Sequence, residues 1–156
     1  MMTREGEIKT EFGSSREAVV FVFLKDSEVL VEKRAKGNTF EGLRIFPSGK
    51  VEVEDFGSDF DYRVEALRRE VQEELGVIPT RYCLILAKTY PREINMLLHC
   101  FLITEWQGQI ETDRVIEKGI FEWMDLSRAE EEMPLESSKE IIAAARVALE
   151  GGVFNL

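Results

Sequence analysis

Arg69, Glu70, Glu73 and Glu74 fall close together inside the stretch 46–77, FPSGKVEVEDFGSDFDYRVEALRREVQEELGV. On a period of 3.6 residues, Val64, Leu67, Val71 and Leu75 occupy an arc of roughly 80°, and Glu70, Glu73 and Glu74 a neighbouring arc of about 100°. Such a helix buries one stripe and carries three acids along its rim. Like charges at these spacings cost an exposed helix only about 0.2–0.5 kcal/mol per pair. Beside a buried stripe the local dielectric falls and the repulsion grows several-fold. The cluster therefore asks for a cation. Oxygen ligands from carboxylates and a backbone carbonyl suit a hard ion, Mg²⁺ or Mn²⁺, which keeps waters free for a substrate phosphate. R-E-x-x-E-E-L is also ordinary for a solvated helix, with Arg69 and Glu73 an i, i+4 pair. The F-P-S-G-K run at 46–50, the Gly76 stop and the flanking strands favour the chemical reading.

The rest of the chain must position these groups. Residues 1–15 read as a polar leader, and 16–24, REAVVFVFL, as a central strand too apolar to be half exposed. A turn at 25–27 leads to a second strand over 28–33, giving a hairpin. Residues 34–42 form a polar loop, and 43–46 a short strand that stops at Pro47. Ser48 and Gly49 read as a turn where backbone can approach a ligand. Residues 54–60 combine charge, Gly and Ser, which predicts a surface excursion. Asp59 or Asp61 can cap the acidic helix, and Gly76 can end it. Strands follow over 82–90 and 95–106, then an irregular acidic loop, a short strand over 119–124 and an amphipathic helix over 137–149 that stops at Gly151 and Gly152.

At 156 residues and 44% hydrophobic content the chain fits one domain with a real core. Its net charge of −10 argues against duplex nucleic acid and anionic membranes, which rely on summed positive potential. A phosphate substrate can still bind where a metal reverses the local sign. There is no apolar leader segment and no run near 18 apolar residues, so a cytoplasmic protein is expected. Cys83 and Cys100 lie on predicted strands outside any CxxC pattern and read as buried thiols. His99, in an apolar strand without a ligand partner at metal spacing, reads as structural.

Gly49 followed by Arg69-Glu70-Val71-Gln72-Glu73-Glu74-Leu75-Gly76-Val77 resembles the signature of the nudix hydrolases, G-x5-E-x7-R-E-U-x-E-E-x-G-U with U aliphatic. The second half matches at every specified position. In the first half, Asp61 in place of the Glu keeps x7 and stretches x5 to x11, whereas Asp55 keeps x5 and stretches x7 to x13; six residues are inserted either way. Ser48 also replaces the first Gly of the usual F-P-G-G-K. The resemblance spans 16–149 and implies an α/β (α+β) fold, an α/β/α sandwich with a mixed sheet between helices, as a single domain over 1–156. It implies Mg²⁺- or Mn²⁺-dependent hydrolysis of a nucleoside diphosphate linked to another moiety, NDP-X plus water giving NMP plus phosphorylated X.

The same resemblance implies the roles. Glu70, Glu73 and Glu74, with the Ser48 carbonyl, would hold metal. Glu70 also has the position from which water is oriented or deprotonated, and Arg69 would fix the loop by pairing with Asp61 or Asp55. Short matches, among them Glu122-Trp123-Met124, point to the MutT-like branch, where an acid six residues before that Trp reaches the metals. Glu117 has that position, with Glu111 and Asp113 as rivals. Arg34 and Lys50 are candidates for phosphate contacts, and Phe46, Val20 and Met96 for a base pocket. The implied partner is a small nucleotide, bound by a monomer or homodimer. A (deoxy)nucleoside triphosphate or oxidised nucleotide leads, ahead of ADP-ribose or coenzyme A and of a nudix-fold module that binds without cleaving.

Overall fold

The computed structural model describes residues 2–4, 7–10, 13–113 and 115–151, with side chains from Arg16 onward. Its spine is β3 (Gly13–Lys25), whose pleat sends successive side chains to opposite faces. Val19, Phe21 and Phe23 pack with Ala66, Leu67 and Val71 of helix α1 (Tyr62–Leu75). Ala18, Val20 and Val22 pack with Ala129 of α2 (Leu126–Glu132) and with Ile141, Ile142 and Ala145 of α3 (Glu136–Glu150). Burial on both faces explains the unbroken apolar run. The expected α/β/α sandwich follows from it.

Among the described residues nine strands pair into a mixed sheet. β1 (Met2–Arg4) and β2 (Glu7–Thr10) lie antiparallel ahead of β3, so the stretch expected as a polar leader contains two strands and the start of a third. β3 turns into β4 (Glu28–Arg34) through Asp26 and Ser27, and Asp26 takes the positive φ of 57° that a two-residue hairpin turn favours. β8 (Ile94–Gln107) runs parallel to β3 from Glu17↔Leu97 to Phe23↔Ile103, and β7 (Ile78–Tyr90) runs antiparallel to β8. β4 is flanked by β5 (Arg44–Ile45) and β9 (Gly119–Asp125).

Two local expectations change. Ser48 and Gly49 are not a turn: β6 (Ser48–Lys50) pairs antiparallel with β3, because Pro47 ends β5 pairing while its carbonyl still accepts from Phe21 N–H at 2.9 Å. The polar stretch before Pro134 forms α2, capped by Asp125 and buried only through Leu126 and Ala129, too narrow a stripe to show a helical period. At α3, the Glu93 carboxylate from the β7–β8 turn accepts from Ser137 N–H at 3.1 Å. Cys100 is buried, its thiol pushed up to about 12 by desolvation, and Cys83 is half-buried; both are free. No helix among the described residues is long and apolar enough to cross a membrane.

Candidate active site

Helix α1 begins at Asp61, whose side chain accepts from Arg63 N–H at 2.9 Å, and ends at Gly76 in the left-handed region with φ 69°. Its buried residues are Ala66, Leu67, Glu70 and Val71, so one of the three acids lies inside the stripe rather than beside it. Gly49 makes this possible. A Cβ there would stand 2.1 Å from Glu70 Oε2, so the β6 backbone packs directly on the carboxyl group.

The β3–β6 ladder sets which carbonyls face the helix. Phe21 N–H bonds Pro47 O and Val51 N–H bonds Glu17 O, which places Ser48 and Lys50 in the alternate, non-bonded pairs. Their carbonyls therefore point away from β3. That of Lys50 accepts from Arg69 Nη2 at 2.9 Å, and that of Ser48 is turned to the same side.

Arg69 uses all five of its N–H donors. Nε and Nη2 grip the two Asp55 oxygens at 2.9 Å each, Nη2 also reaches Lys50 O, and Nη1 meets Glu70 at 2.8 Å and Glu73 at 3.4 Å. Of the two aspartates left open by the sequence, Asp55 is therefore the partner. Asp61 is spent on the helix cap and on Arg63, 2.7 Å away. Asp55 is only 3% exposed and arrives on a single 3-10 turn, Val53–Phe56, where it also accepts from Glu52 N–H at 2.7 Å. The excursion expected over 54–60 is exposed except at Asp55, which is interior; Phe56, though exposed, stacks on Tyr62.

Burial dominates the electrostatics of the acids. It raises the Glu70 carboxyl above its ordinary value despite Arg69, and pushes that of Glu74 up to about 7 despite Lys118. The Glu74 side chain is 9% exposed; its Oε1 lies 3.3 Å from Lys118 Nζ and its Oε2 is buried without a partner. Among the described residues no three acidic, imidazole or thiol groups yet converge on one point. Arg69 draws Glu70 and Glu73 one way and Lys118 draws Glu74 another. An orphaned buried carboxylate oxygen, two further acids in register and an outward carbonyl nevertheless have the donor chemistry of a hard divalent-ion site.

Beside the helix lies a cleft of about 710 Å³, walled by Ser48, Gly49, Lys50, Arg69, Glu70 and Glu73 and, opposite, by Arg34, Phe40, Met96 and Lys118. It continues into an apolar recess of about 80 Å³ that Val20, Phe46, Met96 and Ile141 help to line. Arg34 is aimed by Thr39 O, 3.0 Å from its Nε, and by the buried Glu32 carboxylate. Glu73 and Glu74 also face a groove on the far side, shared with Glu111.

The cleft thus gathers Ser48, Glu70, Glu73, Arg69, Arg34, Lys50 and Met96, with Phe46 in its recess and Glu74 behind. Glu117 is different. Its side chain is exposed, its carbonyl accepts from Asn38 Nδ2 at 3.3 Å, and the neighbouring Lys118 takes the place on the cleft wall. Asp113 hydrogen-bonds Phe121 through its backbone. His99 is structural as expected: Nε2 lies 2.6 Å from Glu17 Oε1, which also accepts from Tyr62 OH at 2.6 Å. Lys118, Glu32 and Glu17 were not legible as site supports, since each looks like an ordinary charged residue in its segment.

The site thus sets an acidic helix rim against a cleft that also carries Arg34, Lys50 and Lys118. Residues 14–145 match the NUDIX domain family, and the chain belongs to the nudix hydrolases. No curated protein matches the sequence. Solved structures share the fold. The MutT described from Aliivibrio salmonicida and Vibrio cholerae is 23% identical, with TM-score 0.62 over 81% of this chain and 96% of that one. The MutT nudix hydrolase of Burkholderia pseudomallei is 20% identical, with TM-score 0.63 over 83% and 97%. The nudix domain of Shewanella oneidensis NrtR, solved with ADP ribose, is 17% identical, with TM-score 0.64 over 86% and 88%.

Proposed function

We propose that this chain is a Mg²⁺-dependent (or Mn²⁺-dependent) diphosphohydrolase of the MutT-like type, converting a nucleoside triphosphate or an oxidised nucleotide, as NDP-X plus water, to NMP plus phosphorylated X. One observation carries the reading: Glu74, buried with an orphaned oxygen, stands in helical register behind Glu70 and Glu73, which wall a cleft also lined by Arg34, Lys50 and Lys118. Glu70, Glu73, Glu74 and the Ser48 carbonyl would hold the ion. When bound, such an ion neutralises the diphosphate, acidifies a water and stabilises the departing phosphate.

The remaining work falls to side chains. Glu70, desolvated and raised, orients the water and takes its proton. Arg69 does not touch substrate; its fork onto Asp55 and Lys50 O locks the loop against the helix. Lys50 and Arg34 bind phosphate oxygens, and Phe46, Val20 and Met96 flank the base. Glu117, exposed with Lys118 in its place on the cleft wall, would join the water shell only if its loop turned inward; Glu117→Gln would then lower kcat more than it raises KM.

An ADP-ribose-type substrate is the second reading, favoured by likeness to a nudix domain solved with ADP ribose. Coenzyme A derivatives and binding without cleavage are further alternatives. Incubating the chain with Mg²⁺ and a panel of nucleoside triphosphates, oxidised nucleotides, ADP-ribose and coenzyme A, scored for phosphate and diphosphate release, separates them. Diphosphate from a triphosphate is expected. Tight binding without release of any product overturns the enzymatic reading.

A further inference from the structure

Lys118 belongs to no part of the chemistry described above, yet its ammonium lies 3.3 Å from a carboxylate assigned to metal. Its backbone is fixed. Ile116 N–H bonds Gly119 O at 2.8 Å, the return bond from Gly119 N–H is 3.2 Å, and Ala35 N–H donates to Lys118 O at 2.8 Å. Gly119 is pressed against β4 so closely that a Cβ there would meet Lys33 O at 2.1 Å. The side chain is not fixed in the same way: it is 45% exposed, and its four-carbon stem borders both Glu74 and the cleft.

Both arginines of the cleft are committed, and Lys50 meets no carboxylate among the described residues. Arg69 has spent its five donors, and Arg34 is held by Glu32 and Thr39 O. Lys118 alone among these three couples a long, mobile charge to a carboxylate whose second oxygen is orphaned. A divalent ion and this ammonium compete for the same oxygens.

We propose that Lys118 is a tethered counter-cation. It neutralises Glu74 while the site is empty of metal, is displaced when a divalent ion binds, and then swings into the cleft to bind a phosphate oxygen of the substrate. The metal would thus release a phosphate ligand at the moment it enters. This rests on the metal-dependent reading above, and its test is arranged so that the two fail differently.

The test compares the parent with Lys118→Met, which keeps the apolar stem, and with Lys50→Met, which removes a cleft charge that touches no carboxylate among the described residues. Mn²⁺ affinity is measured by electron paramagnetic resonance on metal-stripped protein without nucleotide, and KM is measured at saturating Mn²⁺. Lys118→Met should bind Mn²⁺ at least about fivefold more tightly, since nothing must be displaced. Its KM should rise at least about tenfold, since a charge-assisted hydrogen bond to phosphate is lost. These opposite signs are the mark of a residue that changes partners; a lysine that merely supports the loop would not tighten metal binding. Mn²⁺ affinity unchanged or weaker in Lys118→Met, or tightened equally in Lys50→Met, overturns the displacement. An unchanged KM overturns the transfer to phosphate. A parent that binds no Mn²⁺ overturns the metal reading itself, whereas a parent that binds it, alongside an unaltered Lys118→Met, overturns only the role of Lys118.

Discussion

Without metal, Glu74 opposes folding above neutral pH, and Glu74→Gln should expose this as a stability gain that appears only as pH rises. Its carboxyl stands at about 7 in the folded chain against an ordinary 4.5, with burial the main cause. The folded state therefore holds a proton that the unfolded chain releases, and stability declines as pH rises from about 4.5 to 7 and then levels off. At about 1.4 kcal/mol per pH unit the full effect is about 3 kcal/mol, of which about 2–3 kcal/mol develops between pH 5 and pH 8. The glutamine cannot ionise and escapes that decline. For a domain of this size the gain over the parent in Tm should grow by about 5–10 °C across that interval. The assay is thermal unfolding in a chelating buffer at four pH values. Mg²⁺ at pH 8 should then stabilise the parent and leave the variant nearly unmoved, while turnover of the variant falls at least about a hundredfold. Parallel pH curves for parent and variant would refute the argument, because they would mean that Glu74 is ionised at no cost in its buried setting.

Glu73 is exposed, so Glu73→Gln should leave Tm within a degree or two and still reduce turnover at least about a hundredfold, measured as product release at saturating Mg²⁺. Asp55→Asn breaks the Arg69 fork from its buried side and should cost about 3 kcal/mol in urea unfolding. Removing residues 57–60 should leave a cooperative transition because loop length matters only logarithmically, and removing 54–59, which takes Asp55 with it, should not. At Glu17, burial pushes the carboxyl up, but the bonds from His99 and Tyr62 outweigh it and hold the group below its ordinary value. Its stabilisation is therefore complete above about pH 4.5 and lost as pH falls through the folded value; Glu17→Gln should flatten the acid limb of a stability–pH curve.

The parts of the fold that were legible are those where burial imposes a period. The 18–23 run, the α1 stripe and the α3 stripe each repeat as their element requires, and both helix ends of α1 carry the capping residues that geometry uses, Asp61 and Gly76. What escaped has no period to read. β6 is three residues long and is a strand only because β3 offers it a ladder; α2 buries two side chains; β1 and β2 are polar and held by backbone pairing. The acids of the site were legible because their spacing is helical. Lys118 was not, since it reaches Glu74 across 44 residues of sequence and nothing local marks the meeting.

The inserted residues raise a physical question that the Arg69 fork answers. A loop six residues longer than the signature it resembles keeps the site's geometry only if the residue that locks it precedes the extra length. Asp55 does: five residues separate it from Gly49, and the 3-10 turn carries it inward before residues 57–60 leave the surface. The far end of the excursion is tied separately. Tyr62 donates to Glu17, whose carbonyl accepts from Val51 at the exit of β6, and Phe56 stacks on the Tyr62 ring. Both ends of the added chain are thus pinned to β3 and α1, the two elements that define the distance from the Ser48 carbonyl to Glu70. An insertion between two such anchors lengthens a loop without moving the carboxylates. One placed between Gly49 and Asp55 would have had to carry Asp55 away from Arg69, leaving that guanidinium with Glu70 and Glu73 as its strongest remaining partners.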